Sequence, residues 1–250
     1  MKHWTLEDIH WDRFDPSKVD DDLLKVIKAA SLVEKNGRDY ARYLQEVFAD
    51  DAEFVKDAWV WADEEVQHGD ALGRWAEMAD PSFKFEEAFA DFAATIKLPE
   101  QVAGSVRGSK TGELVSRCMV ECGTSSMYTA LANATEEPVL KQICQKIAAD
   151  ELRHYKLFYK YEKRYLEREQ IGRWKRFWVA LSRARETEDD ELAYAYYAAN
   201  RNGEPYDRKL YNTKYAARIY GYYEFRHVER AIAMAFKSIG LKPHGRLNLF

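Results

Sequence analysis

The sequence is poor in the residues that interrupt helices. Its 250 residues include 12 glycines and 6 prolines, well below the roughly 12% that ordinary usage gives for the two together. This scarcity argues against a turn-rich β-sandwich or barrel, whose loops depend on both residues. Cysteine is also scarce. The three cysteines give no disulfide framework and are interpreted as small buried apolar side chains.

Long apolar runs and an excess of basic charge are missing as well. The longest apolar run, from Ala231 to Phe236, is far shorter than the ~20 residues that cross a bilayer. The first residues lack the apolar stretch of a signal peptide. Lys and Arg number 38 against 42 Asp and Glu, which leaves no basic footprint for nucleic acid. We therefore expect a cytoplasmic protein without a membrane span.

What the sequence has in abundance is helical periodicity. Hydrophobic residues make up 46% of the chain, enough to exclude a disordered protein, and they recur at intervals of three and four residues without any alternating strand pattern. Prolines and acidic residues mark the ends of the periodic segments. The predicted helices span residues 20–48, 51–78, 109–134, 138–168, 173–185, 189–200 and 207–239.

The order of the first four helices predicts a topology. The first two are joined by a very short turn, as are the third and fourth, and only the connection over 80–108, with a short amphipathic helix from Phe85 to Ile96, is long. Two antiparallel hairpins joined by one crossover form a ferritin-like four-helix bundle. We predict one all-α, ferritin-like domain over 1–250, with its core at about 20–168 and a C-terminal helical extension at about 170–240.

Two of these helices carry the pattern Glu-x-x-His near their centres. The second contains Glu65 and His68, and the fourth contains Glu151 and His154. Residues three apart share a helix face, so each pair can offer a carboxylate oxygen and an imidazole nitrogen to one point. A single such pair is weak evidence, but two pairs at matching positions indicate a metal site.

The first and third helices each supply an acid at the same level. Glu34 and Glu121 lie at their midpoints, whereas Asp39 and Glu46 are poorer alternatives to Glu34 because they lie nearer the helix end. Four carboxylates in an apolar core repel one another unless cations neutralise them. Two metal ions held by two Glu and two Glu-x-x-His pairs are typical of di-iron and di-manganese carboxylate proteins.

Three segments resemble the soluble acyl-ACP desaturases. The segment beginning Glu64-Glu-Val-Gln-His-Gly-Asp70 is similar to their helix-2 motif Glu-Glu-Asn-Arg-His-Gly-Asp, and Glu121-Cys-Gly-Thr124 is similar to their Glu-Arg-Ala-Thr. The longest match is Gln142-Ile-Cys-Gln-Lys-Ile-Ala-Ala-Asp-Glu-Leu-Arg-His154, against Gln-Ile-Cys-Gly-Thr-Ile-Ala-Ala-Asp-Glu-Lys-Arg-His. The ligand spacing is also similar to that of the cyanobacterial aldehyde-deformylating oxygenases.

The resemblance covers about residues 30–160 and implies a set of roles. It implies that two irons are bound, with manganese, alone or mixed with iron, as the alternative, and that Thr124 lies beside the face where O2 binds as co-substrate. The implied iron ligands are Glu34, Glu65, His68, Glu121, Glu151 and His154. It further implies an apolar, fatty-acyl-like substrate, acyl carrier protein as a partner, and electrons from a separate ferredoxin or reductase.

Neighbours of the ligands are candidates to orient the imidazoles. A metal-bound His needs its other ring nitrogen held by a carboxylate or carbonyl. Asp150, next to Glu151, can reach His68, and Glu64, next to Glu65, can reach His154. Three glycines lie close to the predicted ligands: Gly37, Gly69 and Gly123. They leave room either for a substrate channel or for close contact between helices.

The C-terminal extension carries a third Glu-x-x-His, Glu224 to His227. A seventh ligand is one interpretation, and an ordinary partly buried His is the favoured one. Tyr211, Tyr215 and Tyr222, with Arg218, recur at helical spacing, which is more typical of a packing stripe than of an electron path.

The sequence therefore predicts a non-haem di-iron oxidoreductase that activates O2. Iron storage or peroxide scavenging, as in ferritins and rubrerythrins, is the alternative function, and a bundle with a vestigial site serving as an interaction module is a third. Monomer and homodimer are both left open.

Overall fold

The computed structural model describes residues 3–98, 104–185, 190–201 and 203–243. Over these ranges the chain is helical and contains no strand, as predicted. Short 3-10 turns occur at Leu6–Asp8, Trp11–Arg13, Pro16–Lys18 and Tyr220–Tyr222. The α-helices are α1 Asp21–Lys35, α2 Gly37–Val47, α3 Ala52–Ala79, α4 Phe85–Thr95, α5 Lys110–Ala134, α6 Pro138–Glu169, α7 Arg173–Arg185, α8 Asp190–Ala199, α9 Arg208–Ile219 and α10 Phe225–Ser238.

The predicted helix starts are set by side-chain caps. Asp20 accepts a hydrogen bond from the backbone N–H of Leu23 at 2.7 Å and so caps α1. Asp51 caps α3 in the same way. The buried carboxylate of Glu137 caps α6, with Pro138 in the first turn. Each cap satisfies amide groups that have no partner inside the helix.

The predicted helix over 20–48 is wrong as a continuous element, because it breaks at Asn36 into α1 and α2. The N–H of Asn36 bonds to the carbonyl of Val33, three residues back, so the helix tightens there. A Cβ atom at Gly37 would lie 2.6 Å from Cβ of Glu65. The break therefore accompanies a backbone contact with α3 that only glycine permits.

The predicted helix over 207–239 is also wrong as one element. It divides into α9 and α10 around a 3-10 turn, and Glu224 precedes the first turn of α10. The helix predicted at 189–200 is observed over 190–199, and residue 189 lies outside the described residues. Residues 99–103 of the predicted connection also lie outside them, while the amphipathic helix within it is α4.

Polar contacts fix the directions of the long helices. Lys28 bonds to Asp80, and further along α1 Lys35 pairs with Asp70, so α1 and α3 run antiparallel. The same reasoning applies to α5 and α6, where the N–H of Thr111 donates to Glu169 and Ser125 donates to the carbonyl of Ala148. Helices α3 and α6 are antiparallel as well, since they are linked by Asp57–Tyr161 and His68–Asp150.

Helix α2 packs against α3, and its Leu44 lies in the interior. Helices α8 and α9 contact α1, and helices α7 and α10 contact α5. No helix among the described residues is long and apolar enough to span a membrane.

Two large apolar clusters in the interior are separated by a layer of buried polar side chains, and a third, smaller cluster lies over Val115 of α5. One large cluster collects residues such as Leu32, Leu72 and Ile147, and the other collects Leu44, Trp61 and Phe158. Along α1, α3, α5 and α6 the polar layer lies between them. The three cysteines are buried, as predicted.

Candidate metal centre

The structure brings the six predicted ligands together in this polar layer. Each comes from the middle of the bundle: Glu34 from the end of α1, Glu121 from α5, and the two Glu-x-x-His pairs from α3 and α6. All six are buried, with at most 8% of any of them exposed. Helical spacing of three turns each Glu and its His toward the same interior point.

The six side chains form two groups that share Glu65 and Glu151. The first group adds Glu34 and His68, and the second adds Glu121 and His154. Within each group the candidate ligand atoms all lie within 4.8 Å of one another. Each group could therefore hold a metal ion.

Distances inside each group converge on the Nδ1 atom of the histidine. Nδ1 of His68 lies 3.4 Å from Oε2 of Glu34 and 3.3 Å from Oε1 of Glu151. Nδ1 of His154 lies 3.0 Å from Oε1 of Glu65 and 3.5 Å from Oε2 of Glu121. Atoms that bind one metal ion lie at such separations from each other. In both groups the histidine nitrogen that faces the carboxylates is Nδ1.

The hydrogen bonding of the six residues fits bound cations. Each of them has one buried oxygen or nitrogen without a hydrogen-bond partner: Glu34 Oε2, Glu65 Oε1, His68 Nδ1, Glu121 Oε2, Glu151 Oε1 and His154 Nδ1. A buried polar atom without a partner is costly. Six of them aimed at one small region are explained if metal ions accept their lone pairs, so these residues could hold metal.

The electrostatics of the layer lead to the same conclusion. Burial and the charges of Glu151 and Glu34 raise the pKa of Glu65 well above its ordinary range. Burial, followed by the charge of Glu151, raises the pKa of Glu121 to about 8. Carboxylates crowded in this way hold protons unless other cations replace them.

The pKa of Glu34 is shifted in the opposite direction. Burial is the largest influence and favours its protonated form, but the interactions with His68, Glu65 and Tyr128 together outweigh burial and lower the pKa. The hydroxyl of Tyr128 also donates to Oε1 of Glu34 at 2.6 Å. Glu34 is therefore the most readily ionised of these three carboxyl groups.

The outward nitrogen of His68 contacts Asp150, as the sequence predicts. Nε2 of His68 lies 3.0 Å from Oδ2 of Asp150. The same oxygen accepts a hydrogen bond from the indole N–H of Trp4 at 2.6 Å and lies 2.9 Å from Nε2 of His3. The ring of Trp4 is also stacked on the ring of His68, with the ring centroids 5.9 Å apart. A proton held on Nε2 leaves the Nδ1 lone pair for a metal.

The outward nitrogen of His154 contacts Glu64, the second predicted orienting residue. Nε2 of His154 lies 2.7 Å from Oε2 of Glu64. The carboxylate of Glu64 also accepts from both terminal nitrogens of Arg153. Burial is the largest influence and opposes ionisation of Glu64, but the hydrogen bond from His154 together with the charges of His154, Arg153 and His3 outweighs it and lowers the pKa.

Thr124 contacts the centre through a ligand. Its hydroxyl lies within hydrogen-bond distance of Oε2 of Glu151 and of the carbonyls of Val120 and Glu121. A Cβ atom added at the neighbouring Gly123 would meet nothing within 4 Å. Gly69, by contrast, is in close contact with the backbone of Lys35. Among the three glycines near ligands, only Gly123 borders open space.

Other candidates lie outside the cluster. Asp39 pairs with Arg42, and Glu46 is exposed. His227 is buried away from both groups, where Nδ1 accepts from the backbone N–H of Glu224 and Nε2 contacts Asn133. The third Glu-x-x-His therefore organises the start of α10. Tyr211 and Tyr215 pack into the apolar core, as the packing interpretation predicts.

Sequence reasoning missed three residues near the centre: His3, Trp4 and Tyr128. The first two lie in an irregular N-terminal segment that carries no motif, and they reach Asp150 across almost 150 residues of sequence. The sequence could have indicated Tyr128, because it lies two helical turns after Glu121 and therefore on the same face of the helix.

No protein-family model matches the chain, and no curated protein matches it significantly.

Proposed function

We propose that this chain is an O2-activating di-iron oxidoreductase of the ferritin-like superfamily, acting on an apolar, fatty-acyl-like substrate. The observation that carries the proposal is the pair of buried four-residue groups that share Glu65 and Glu151. Paired carboxylate bridges with one His on each side suit iron or manganese better than thiolate-seeking metals. The resemblance to acyl-ACP desaturases supports iron.

The helix directions support a ferritin-like four-helix bundle. Helices α1 and α3 form one antiparallel pair and α5 and α6 another, as their contacts require. The chain between α3 and α5 is the long connection. This order, with one Glu-x-x-His on the second and fourth helices, is that of ferritin-like di-iron proteins.

The residues of the centre have distinct tasks in this proposal. Glu34 and His68 would hold one ion, Glu121 and His154 the other, and Glu65 and Glu151 both. Bound iron supplies the electrons that reduce O2 and hence the oxidising power for attack on a C–H bond or an aldehyde.

The surrounding side chains orient the ligands and exclude water. Asp150 and Glu64 hold the Nε2 protons of the two histidines. Thr124 donates to Glu151 and thereby fixes the orientation of that carboxylate. The apolar clusters above and below the layer keep bulk water away from the reacting atoms.

Electrons enter this scheme from outside the chain. The sequence contains no flavin or iron–sulfur motif, so a separate ferredoxin or reductase is the proposed donor. By the same resemblance, the acyl substrate is delivered free or on acyl carrier protein.

The proposal is tested by metal content followed by turnover. Purified chain loaded anaerobically with Fe(II) is expected to retain about two ions, to consume O2 in the presence of a reductant, and to oxidise a long-chain acyl substrate. Glu121→Ala removes a ligand, and Glu46→Ala removes an exposed acid as the matched control. Retention of less than half an iron ion per chain would contradict the proposal. A megadalton particle filled with iron would favour storage, and rapid turnover of peroxide without acyl oxidation would favour scavenging.

A further inference from the structure

The exposed apolar side chains are concentrated on two neighbouring helices. Nine large hydrophobic side chains are exposed among the described residues, and five of them lie on α7 and α10. Trp174 is 79% exposed and Trp178 is 60% exposed. On α10 they are joined by Phe225, Val228 and Ile232. Single exposed apolar residues are ordinary, but such a concentration marks an interaction surface.

Helices α7 and α10 lie side by side on α5. The guanidinium of Arg176 in α7 donates to the carbonyl of Ser238 at the end of α10, at 3.2 Å. Ala180 and Ile239 meet in one apolar cluster over Val115 of α5. These contacts join α7 to the C-terminal end of α10. We call the exposed apolar residues of the two neighbouring helices the α7–α10 face: Trp174, Trp178, Phe225, Val228 and Ile232.

The geometry of α7 gives this face an ordered apolar stripe. Trp174 and Trp178 are four residues apart, so they project from successive turns of the same side. Phe177 lies between them and contacts both edge-on, with ring centroids 6.1 Å and 5.8 Å away. The inner side of the helix is anchored by Arg176, which is buried beside Glu162.

The exposed charges of α7 itself are basic. Helix α7 contains five Lys and Arg and no acidic residue, in a chain whose formal charge is −4. Arg173, Lys175 and Arg185 are exposed, and none of them pairs with a carboxylate within the ranges that the structure covers. Unneutralised cations beside exposed tryptophans indicate a negatively charged partner with an apolar interior.

We propose that the α7–α10 face binds an anionic lipid surface. A helix that lies in the membrane interface buries Trp and Leu side chains among the acyl chains, while Lys and Arg contact anionic headgroups. A second copy of the chain is a poorer occupant because two such basic faces repel each other. An acidic protein shares the charge complementarity and can bury tryptophans as well, and its binding without vesicle binding is the outcome that would overturn the lipid surface.

The inference deepens the proposed function and rests on it for its purpose. A lipid surface is where an apolar acyl substrate resides, and α7 packs near Met119, two residues before Glu121. The lipid binding itself needs neither metal nor turnover, so it can be measured separately from both.

The test is flotation of the full chain with lipid vesicles. We expect binding to vesicles of phosphatidylcholine with phosphatidylglycerol, much weaker binding to phosphatidylcholine alone, and a decrease as salt is added. Trp174→Ala combined with Trp178→Ala, and separately Arg173→Glu combined with Lys175→Glu, should each lower the partition coefficient about tenfold or more. Val60→Ala and Lys56→Glu on α3 remove an exposed apolar and an exposed basic side chain elsewhere and should leave partitioning unchanged.

Each outcome separates the inference from the proposed function. Loss of binding in the α7 variants with unchanged helical circular dichroism supports the lipid surface even if the chain fails to retain iron. Absence of vesicle binding, or equal binding to the two lipid compositions, overturns it even if the chain binds two irons. Binding of the basic face to an acidic carrier protein without vesicle binding overturns it as well and assigns the surface to a protein partner.

Discussion

The two halves of the candidate metal centre have the same ligand types but different surroundings. Around Glu34 and His68, Asp150 is held by Trp4 and His3, and Tyr128 closes the other side. Around Glu121 and His154, the supporting carboxylate is Glu64, which is bound by the half-exposed Arg153. We call these the Asp150 half and the Glu64 half.

The difference lies in how firmly each half is positioned. In the Asp150 half, the indole of Trp4 donates to the supporting carboxylate Asp150, and the hydroxyl of Tyr128 donates to the ligand Glu34. In the Glu64 half, support comes from the half-exposed Arg153, which competes with solvent and also bonds Asp150. Two sites of equal chemistry can therefore differ in metal affinity through neighbours alone.

The largest expected effect is the loss of bound metal, which should be greater when a shared ligand is removed than when an unshared ligand is removed. Because Glu151 belongs to both groups, Glu151→Ala should reduce bound metal from about two ions to less than half an ion per chain. Glu121→Ala should remove only the ion of the Glu64 half and leave about one. Metal analysis after desalting measures both, with helical circular dichroism as the check on folding.

Loss of both ions from Glu121→Ala would show that the halves do not bind independently. Global unfolding of Glu121→Ala would contradict a purely functional role for that carboxylate, since its removal relieves repulsion in the metal-free core.

The next effect compares the supporting carboxylates directly. Asp150→Asn and Glu64→Gln keep size but lose charge, and changes of this kind typically cost about 10–100-fold in metal affinity. We expect Asp150→Asn to cause the larger loss of metal affinity, near 100-fold, because Asp150 has more partners. Its partners are His68, Trp4, His3 and Arg153. Competition with a chelator measures the two dissociation constants. The reverse ranking would contradict the idea that the Asp150 half is the better supported one.

Much of the fold was predictable because its signals are local. Caps at Asp20, Asp51 and Glu137 lie within three residues of the amides that they bind. Apolar spacing and Glu-x-x-His are likewise properties of a single helix. Even Glu34, which carries no motif, could be placed by the requirement that the acids of antiparallel helices meet at one level.

What could not be predicted depends on contacts between distant segments. The break at Asn36 accompanies the close approach of Gly37 to Glu65, and nothing in the periodicity of 20–48 records it. Trp4 reaches Asp150 from an N-terminal segment without regular periodicity. The interruption between α9 and α10 lies within a helical pattern that continues across it, so periodicity alone does not locate it.

A third effect concerns the pH dependence of stability, because the pKa values of Glu121 and Glu34 are shifted in opposite directions. In the metal-free protein the pKa of Glu121 is raised to about 8 by burial and by Glu151, whereas that of Glu34 is lowered. A carboxyl with a raised pKa in the folded state stabilises the fold fully below its ordinary value of 4.5. That contribution is lost as the pH rises through about 8. One such proton gives a slope of at most about 1.4 kcal/mol per pH unit.

Glu121→Gln should therefore flatten the fall in the free energy of unfolding of the metal-free protein between pH 5 and pH 8, roughly the interval between the ordinary and the raised value. Urea unfolding at a series of pH values measures this, and Glu46→Gln is the exposed control. An unchanged slope would mean that Glu121 is ionised throughout that range.

The last effect tests the hydrogen bond that Tyr128 makes to Glu34 in the Asp150 half. Tyr128→Phe removes the hydroxyl that donates to Oε1 of Glu34 at 2.6 Å, while the ring stays in the apolar core. Loss of one buried hydrogen bond to a charged group should lower the free energy of unfolding by about 1.5–3 kcal/mol. Tyr161→Phe, which loses a bond to the partly buried Asp57, is the matched control and should cost less. If Tyr128→Phe lowers stability without weakening metal binding, the Asp150 half owes its affinity to His68 and Asp150, and Tyr128 serves only the packing of the core.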